Sequence, residues 1–187
     1  MSYNKIIVEG LWGHGKTSLI NEIHKEFDYH ILNEPNHIPS GKTEEKEIDL
    51  WYQKEYLSLA EYFLSSTKKI ISERSLLDSG AFTYARDRII TPQLNALLAD
   101  FINKIINKNV LVVYLYANKE FIFECSKHIA DNNVSNLLKS DEFIEKYDDY
   151  FKRILPSHYE INFLYIDISD RNSFISKEKI LEHFKKL

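Results

Sequence analysis

The chain has 187 residues, 24 Lys and Arg against 28 Asp and Glu, and a net charge of −4. That is one domain's length, sufficient for a core without disulfide or structural metal, and the charge excludes tight general binding to nucleic acid through a basic surface. The lone Cys125 excludes an internal disulfide and a cysteine-based zinc site, and no two histidines stand at the i, i+4 spacing of a helical metal pair.

The first residues lead into an apolar run too short for a signal peptide. KIIVE, Lys5–Glu9, is β-branched and short, as a buried strand requires, and it breaks at Gly10. Residues 17–27 place Leu19, Ile20, Ile23 and Phe27 at helical spacing. A second strand is predicted over 29–32, closing at Asn33-Glu34-Pro35, with a Pro- and Gly-containing loop over 35–41. Thr43 is expected to open a helix, with Lys46 where a capping box carries Glu or Gln. Ile48, Trp51, Tyr52, Leu59, Ala60 and Phe63 form that helix's apolar face.

KIISE over 69–73 is the third strand and 76–86 a helix. Thr91-Pro92 reads as N-cap and first residue of a helix reaching about residue 106. The fourth strand covers 110–116. The apolar run there, 110–117, is the longest in the chain and far short of a membrane span. A helix over 118–128, a loop over 130–135, a helix over 141–155, a fifth strand over 163–168 and a closing helix over 176–187 complete the reading. Strands alternating with helices predict an α/β fold with a parallel sheet, in one domain over 1–187, soluble and cytoplasmic, without membrane or nucleic-acid partners. A homodimer is compatible with the sequence. In such sheets ligands sit at the carboxyl ends of the strands.

Gly10-Leu11-Trp12-Gly13-His14-Gly15-Lys16-Thr17 matches G-x-x-x-x-G-K-[ST] in full, between a predicted strand and a predicted helix. Gly10, Gly13 and Gly15 let backbone N–H groups turn toward phosphates. The helix beginning at Lys16 aims its positive end at the same anion. Lys16 is expected to be exposed and to reach the outer phosphates, Thr17 to ligate Mg²⁺, and Ser18 to flank them in the first turn. His14 is expected over the bound nucleotide. Three strand-end residues complete a phosphoryl-transfer set: Glu73 to help hold Mg²⁺, Arg74 to bind phosphate with its planar fork, and Glu34 to accept a proton from an acceptor hydroxyl.

Val8-Glu9-Gly10 with Gly13-x-Gly15-Lys16-Thr17 resembles the opening of the deoxynucleoside kinase and thymidylate kinase superfamily of P-loop kinases. Asn33-Glu34-Pro35, Tyr52-Gln53 and Glu73-Arg74-Ser75 follow in the order in which deoxynucleoside kinases carry Glu-Pro, Phe-Gln and Glu-Arg-Ser. Ala81-Phe82 is nearer the thymidylate kinase Ala-Tyr. The resemblance implies five parallel strands in the order 2-3-1-4-5, ATP and Mg²⁺ as cofactors, and a nucleoside or nucleotide as small-molecule substrate. It gives Gln53 a base-recognition role, lets Arg86 and Asp87 shape the acceptor pocket, and puts Asp167 near the adenine. Two departures stand out. The arginine-rich lid of such kinases is replaced by residues 124–130, with Lys127 and His128 as cations. The Ser-Asp pair of deoxynucleoside kinases is inverted as Asp78-Ser79.

A nucleoside kinase is favoured over a monophosphate kinase. Glu34 supplies a base for a hydroxyl, whereas a phosphate acceptor needs cations instead. A non-catalytic P-loop module is the alternative from another class. A GTPase is disfavoured because Asn103-Lys104, Asn107-Lys108 and Asn118-Lys119 all lack the Asp of the guanine signature.

Overall fold

The computed structural model describes residues 3–35, 45–170 and Phe184. The loop over 36–41, the helix start at Thr43, the Lys46 side chain and, apart from Phe184, the closing helix over 176–187 lie outside the described residues.

β1 (Lys5–Glu9) is buried at every position, so its unbroken apolar run sits in the middle of a sheet rather than at its edge. It pairs in parallel with β3 (Ile70–Glu73) on one side and β4 (Leu111–Tyr116) on the other. β2 (His30–Leu32) and β5 (Asn162–Asp167) flank them, also in parallel, giving the order β2-β3-β1-β4-β5. This is the predicted order, and the strand boundaries agree with the sequence reading to within one residue.

Helices cover the sheet. α1 (Lys16–Phe27) buries Leu19, Ile20 and Ile23. α2 (Glu45–Ser65) buries Tyr56, Ala60 and Phe63. α3 (Leu76–Ala85) is capped by Ser75, and α4 (Pro92–Asn107) by Thr91 with proline in its first turn as predicted. α5 (Lys119–Ser126) is shorter than expected, with Asn118 as its cap.

Two segments differ from the sequence reading. Residues 130–135 were expected as loop, yet α6 (Asn132–Leu137) forms there. The Asp131 carboxylate accepts from the N–H groups of Asn133 and Val134, and Ser135 and Leu138 are buried. A local cap and tertiary burial overcome the poor helix propensity of an asparagine-rich run. The helix expected over 141–155 is α7 (Asp141–Asp149), a π-helical turn at Tyr150–Ile154, and α8 (Leu155–His158). The widened turn precedes Pro156, which has no N–H to offer a carbonyl one turn back.

Candidate active site

At the end of β1 the chain turns through Gly10, where a Cβ would stand 2.6 Å from the Leu115 carbonyl oxygen. At Gly13, with φ of 79°, a Cβ would meet that of Cys125 at 2.9 Å. α1 then starts on Gly15, left-handed and without a side-chain cap, so its first N–H groups are left for an incoming anion. Register pairs Val8 with Glu73, which brings the β3 end over the start of α1. The Thr17 hydroxyl donates to Glu73 Oε1 at 2.7 Å. Two hard oxygens so placed suit a divalent cation such as Mg²⁺. Ser18 is exposed in the same turn.

Two residues of the loop differ from expectation. Lys16 is buried, 5% exposed, and its ammonium donates to the Leu11 carbonyl at 3.0 Å. Burial, then Arg74, lowers its pKa to about 8. His14 does not stand over the loop. Its imidazole is buried, with Nδ1 3.0 Å from the Leu115 carbonyl, and packs edge-on against Phe121. Burial drives its pKa down to about 3, so the ring is a neutral tie between the loop and β4.

Arg74 occupies the left-handed region at φ 64°, uncommon for a residue with a side chain. The Val8 carbonyl accepts from its N–H at 2.9 Å, and its own carbonyl accepts from the Ser72 hydroxyl at 2.9 Å. That backbone sends the side chain inward, where it is buried. Nε lies 2.9 Å from Glu34 Oε2, and one terminal nitrogen donates to Asp78 and, at 3.3 Å, to the Tyr147 hydroxyl. Burial opposes the cation, but Asp78 and Glu34 outweigh it and hold the guanidinium charged. The other terminal nitrogen, Nη2, is buried without a hydrogen-bond partner among the described residues. Ser75, next in sequence, donates to Glu9 Oε1 at 2.6 Å while capping α3. Burial, then Asp78, pushes the Glu9 carboxyl well above its ordinary range and favours its protonated form.

Beside this network lies a cavity of about 420 Å³. Trp12 of the loop, Glu34 of β2's end, Tyr52, Gln53 and Tyr56 of α2, and Phe82 of α3 form much of its wall. Gln53 and Arg86 line it. Asp87 turns out to pair with Lys146. Lys127 is exposed, ion-paired to Glu124, and is not a cavity residue. Asp167 ends β5 and accepts from Ser169. The side of the cavity facing α6 carries Asp131, Asn133 and Asn136, which sequence reasoning missed because that segment was read as loop. Tyr56 was missed too. Its spacing, one turn after Tyr52 on the same helix face, is the signal that could have found it.

No protein-family model matches the sequence, and no curated protein matches it at a significant level. Solved structures do match in shape. Deoxyadenosine kinase from M. mycoides, with dCMP and a flexible dCDP bound, superposes with a TM-score of 0.68 at 20% identity, over 98% of this chain and 100% of that one. Thymidylate kinase from Candida albicans gives 0.66 at 14% identity, over 99% and 92%. The YorR protein from Bacillus subtilis, in complex with phosphorylated GDP, gives 0.62 at 20% identity, over 96% and 95%. At these identities shape is what is shared, and on that ground, with its strand order, the chain has the α/β fold of the P-loop nucleoside and nucleotide kinases.

Proposed function

We propose that this protein is a P-loop kinase that transfers the terminal phosphoryl group of ATP to a hydroxyl of a (deoxy)nucleoside. The observation that carries the acceptor is the charge of the cavity: among the described residues four carboxylates, Glu34, Asp49, Asp78 and Asp131, line it against one guanidinium, Arg86. Arg74 and Arg88 pair with Glu34, Asp78 and Asp49, so among the described residues their charge is spent on carboxylates of the wall rather than on an incoming phosphate. A neutral nucleoside suits such a wall, with Tyr52, Phe82 and Trp12 offering faces to a base and the Gln53 amide its donor and acceptor.

The chain's own residues supply each part of the transfer. The N–H groups opening α1 and the Lys16 ammonium, released from Leu11, bind the triphosphate. Thr17 and Glu73 would hold Mg²⁺, whose charge screens the transferred group. Glu34, steadied by Arg74 and by the Tyr56 hydroxyl at 3.4 Å, accepts the proton of the attacking hydroxyl. Arg86 in the wall favours a second reading, a nucleoside monophosphate kinase.

The test is ATP consumption with each of the four deoxynucleosides and each 5′-monophosphate. Nucleosides should be phosphorylated, and Glu34→Gln should lower kcat about 10²-fold or more. Turnover confined to monophosphates, or full activity of Glu34→Gln, reverses the choice of acceptor. Absence of any transfer despite ATP binding leaves the non-catalytic module.

A further inference from the structure

Trp12 occupies a variable position of the phosphate loop, yet its indole reaches out of that loop into the acceptor cavity. It meets Phe82 edge-on, with ring centroids 5.8 Å apart and planes at 82°. The Arg74 guanidinium lies over its face, 4.9 Å from the centroid. Trp12 is part of the cavity wall and Arg74 is not, although Arg74 has a buried nitrogen without a partner. The indole, together with Glu34 and Asp78, is thus one of the wall groups that lie against this cation.

We propose that Trp12 is a specificity-determining residue: by covering Arg74 at the phosphate-loop end of the cavity, it selects an uncharged acceptor and rejects one that already carries a phosphate. This rests on the cavity being the acceptor site. The physical basis is direct. An anion entering at that end meets the ring, whose face repels negative charge, instead of the unpartnered Nη2 of a guanidinium. The same ring attracts Arg74 and holds it against Glu34 and Asp78. A neutral nucleoside loses nothing at that wall and gains an aromatic surface.

The experiment compares wild type, Trp12→Ala and Trp12→Phe, using deoxyadenosine, thymidine and their 5′-monophosphates. The quantity read is the ratio of kcat/KM for nucleoside to that for monophosphate. ATP affinity is measured separately by calorimetry, to show that the loop is intact. Trp12→Ala should lower the ratio at least tenfold through a gain on monophosphates, and Trp12→Phe should keep it within about threefold. An unchanged ratio, or an equal loss on both acceptors, overturns the proposal. Calorimetric affinities for the same four compounds give the same ratio without turnover. A wild type that binds nucleosides but transfers nothing thus refutes the kinase reading while Trp12 is still judged on binding. Preference of the wild type for monophosphates, or failure of all four compounds to bind wild type and Trp12→Ala alike, overturns the proposal together with the reading beneath it.

Discussion

Lys16 carries its charge at a cost, because it is buried beside Arg74. Its pKa near 8 in the free protein must rise when triphosphate arrives, since the anion favours the ammonium. Binding then takes up a proton between those two values, so ATP affinity should fall as pH climbs through about 8. Calorimetry in buffers of different ionisation enthalpy measures the uptake; a pH-independent affinity from 7 to 9.5 contradicts it. Lys16→Ala should weaken ATP binding about 10- to 100-fold, the loss of a charged hydrogen bond. Arg74 differs, because it is buried under Trp12 and supports the fold through its pairs with Glu34 and Asp78. Arg74→Ala strands Glu34 and Asp78 beside one another, and should cost about 3–5 kcal/mol in urea unfolding. Adding Asp78→Asn should recover part of that loss. Additive effects would show that the two residues are not coupled.

The π-helical turn at Tyr150–Ile154 opens on a tyrosine whose ring lies against α3. A Cβ at Gly80 would collide with the Tyr150 hydroxyl and stand 2.9 Å from ring carbon Cζ. Alanine ordinarily improves a helix interior over glycine by about 0.5–1 kcal/mol. Here Gly80→Ala should destabilise by about 1–3 kcal/mol, with part recovered in a Tyr150→Phe background. A stabilised single variant would show that α3 and the turn are not in close contact. This element also marks how far sequence reading reaches. The strands, the phosphate loop and the cap at Thr91 depend on neighbours a few residues away, and periodicity and glycine spacing expose such features. The inward turn of His14 and the packing of Trp12 over Arg74 depend on partners distant in sequence, such as Leu115 and Phe82. Those contacts exist once the chain has folded, and no local pattern encodes them. Glu34, Gln53, Glu73 and Arg74 were singled out through motif order along the chain, and strand order brings Glu34, Glu73 and Arg74 to the carboxyl ends of β2 and β3.

One core of aliphatic and aromatic side chains takes in β1 to β4, with Phe163, Leu164 and Ile166 of β5 packed against it, and we expect the chain to unfold as one domain. ATP·Mg²⁺ at a hundred times its Kd should add about 2.7 kcal/mol and raise Tm by about 5–10 °C, as a single shifted transition. Two separable transitions, with one unmoved, would refute the single domain. The sheet order also bears on how the molecule comes into being. β1 is near the start of the chain, yet it is the middle strand, and Lys5 and Ile6 await Ile70 and Leu111 as partners. During synthesis a strand with three apolar residues between Lys5 and Glu9 must therefore wait until β4 has emerged before both its edges are paired. Refolding is correspondingly limited by closing long loops, and the interval in which KIIVE stands uncovered is when the chain is most open to aggregation and to capture by chaperones.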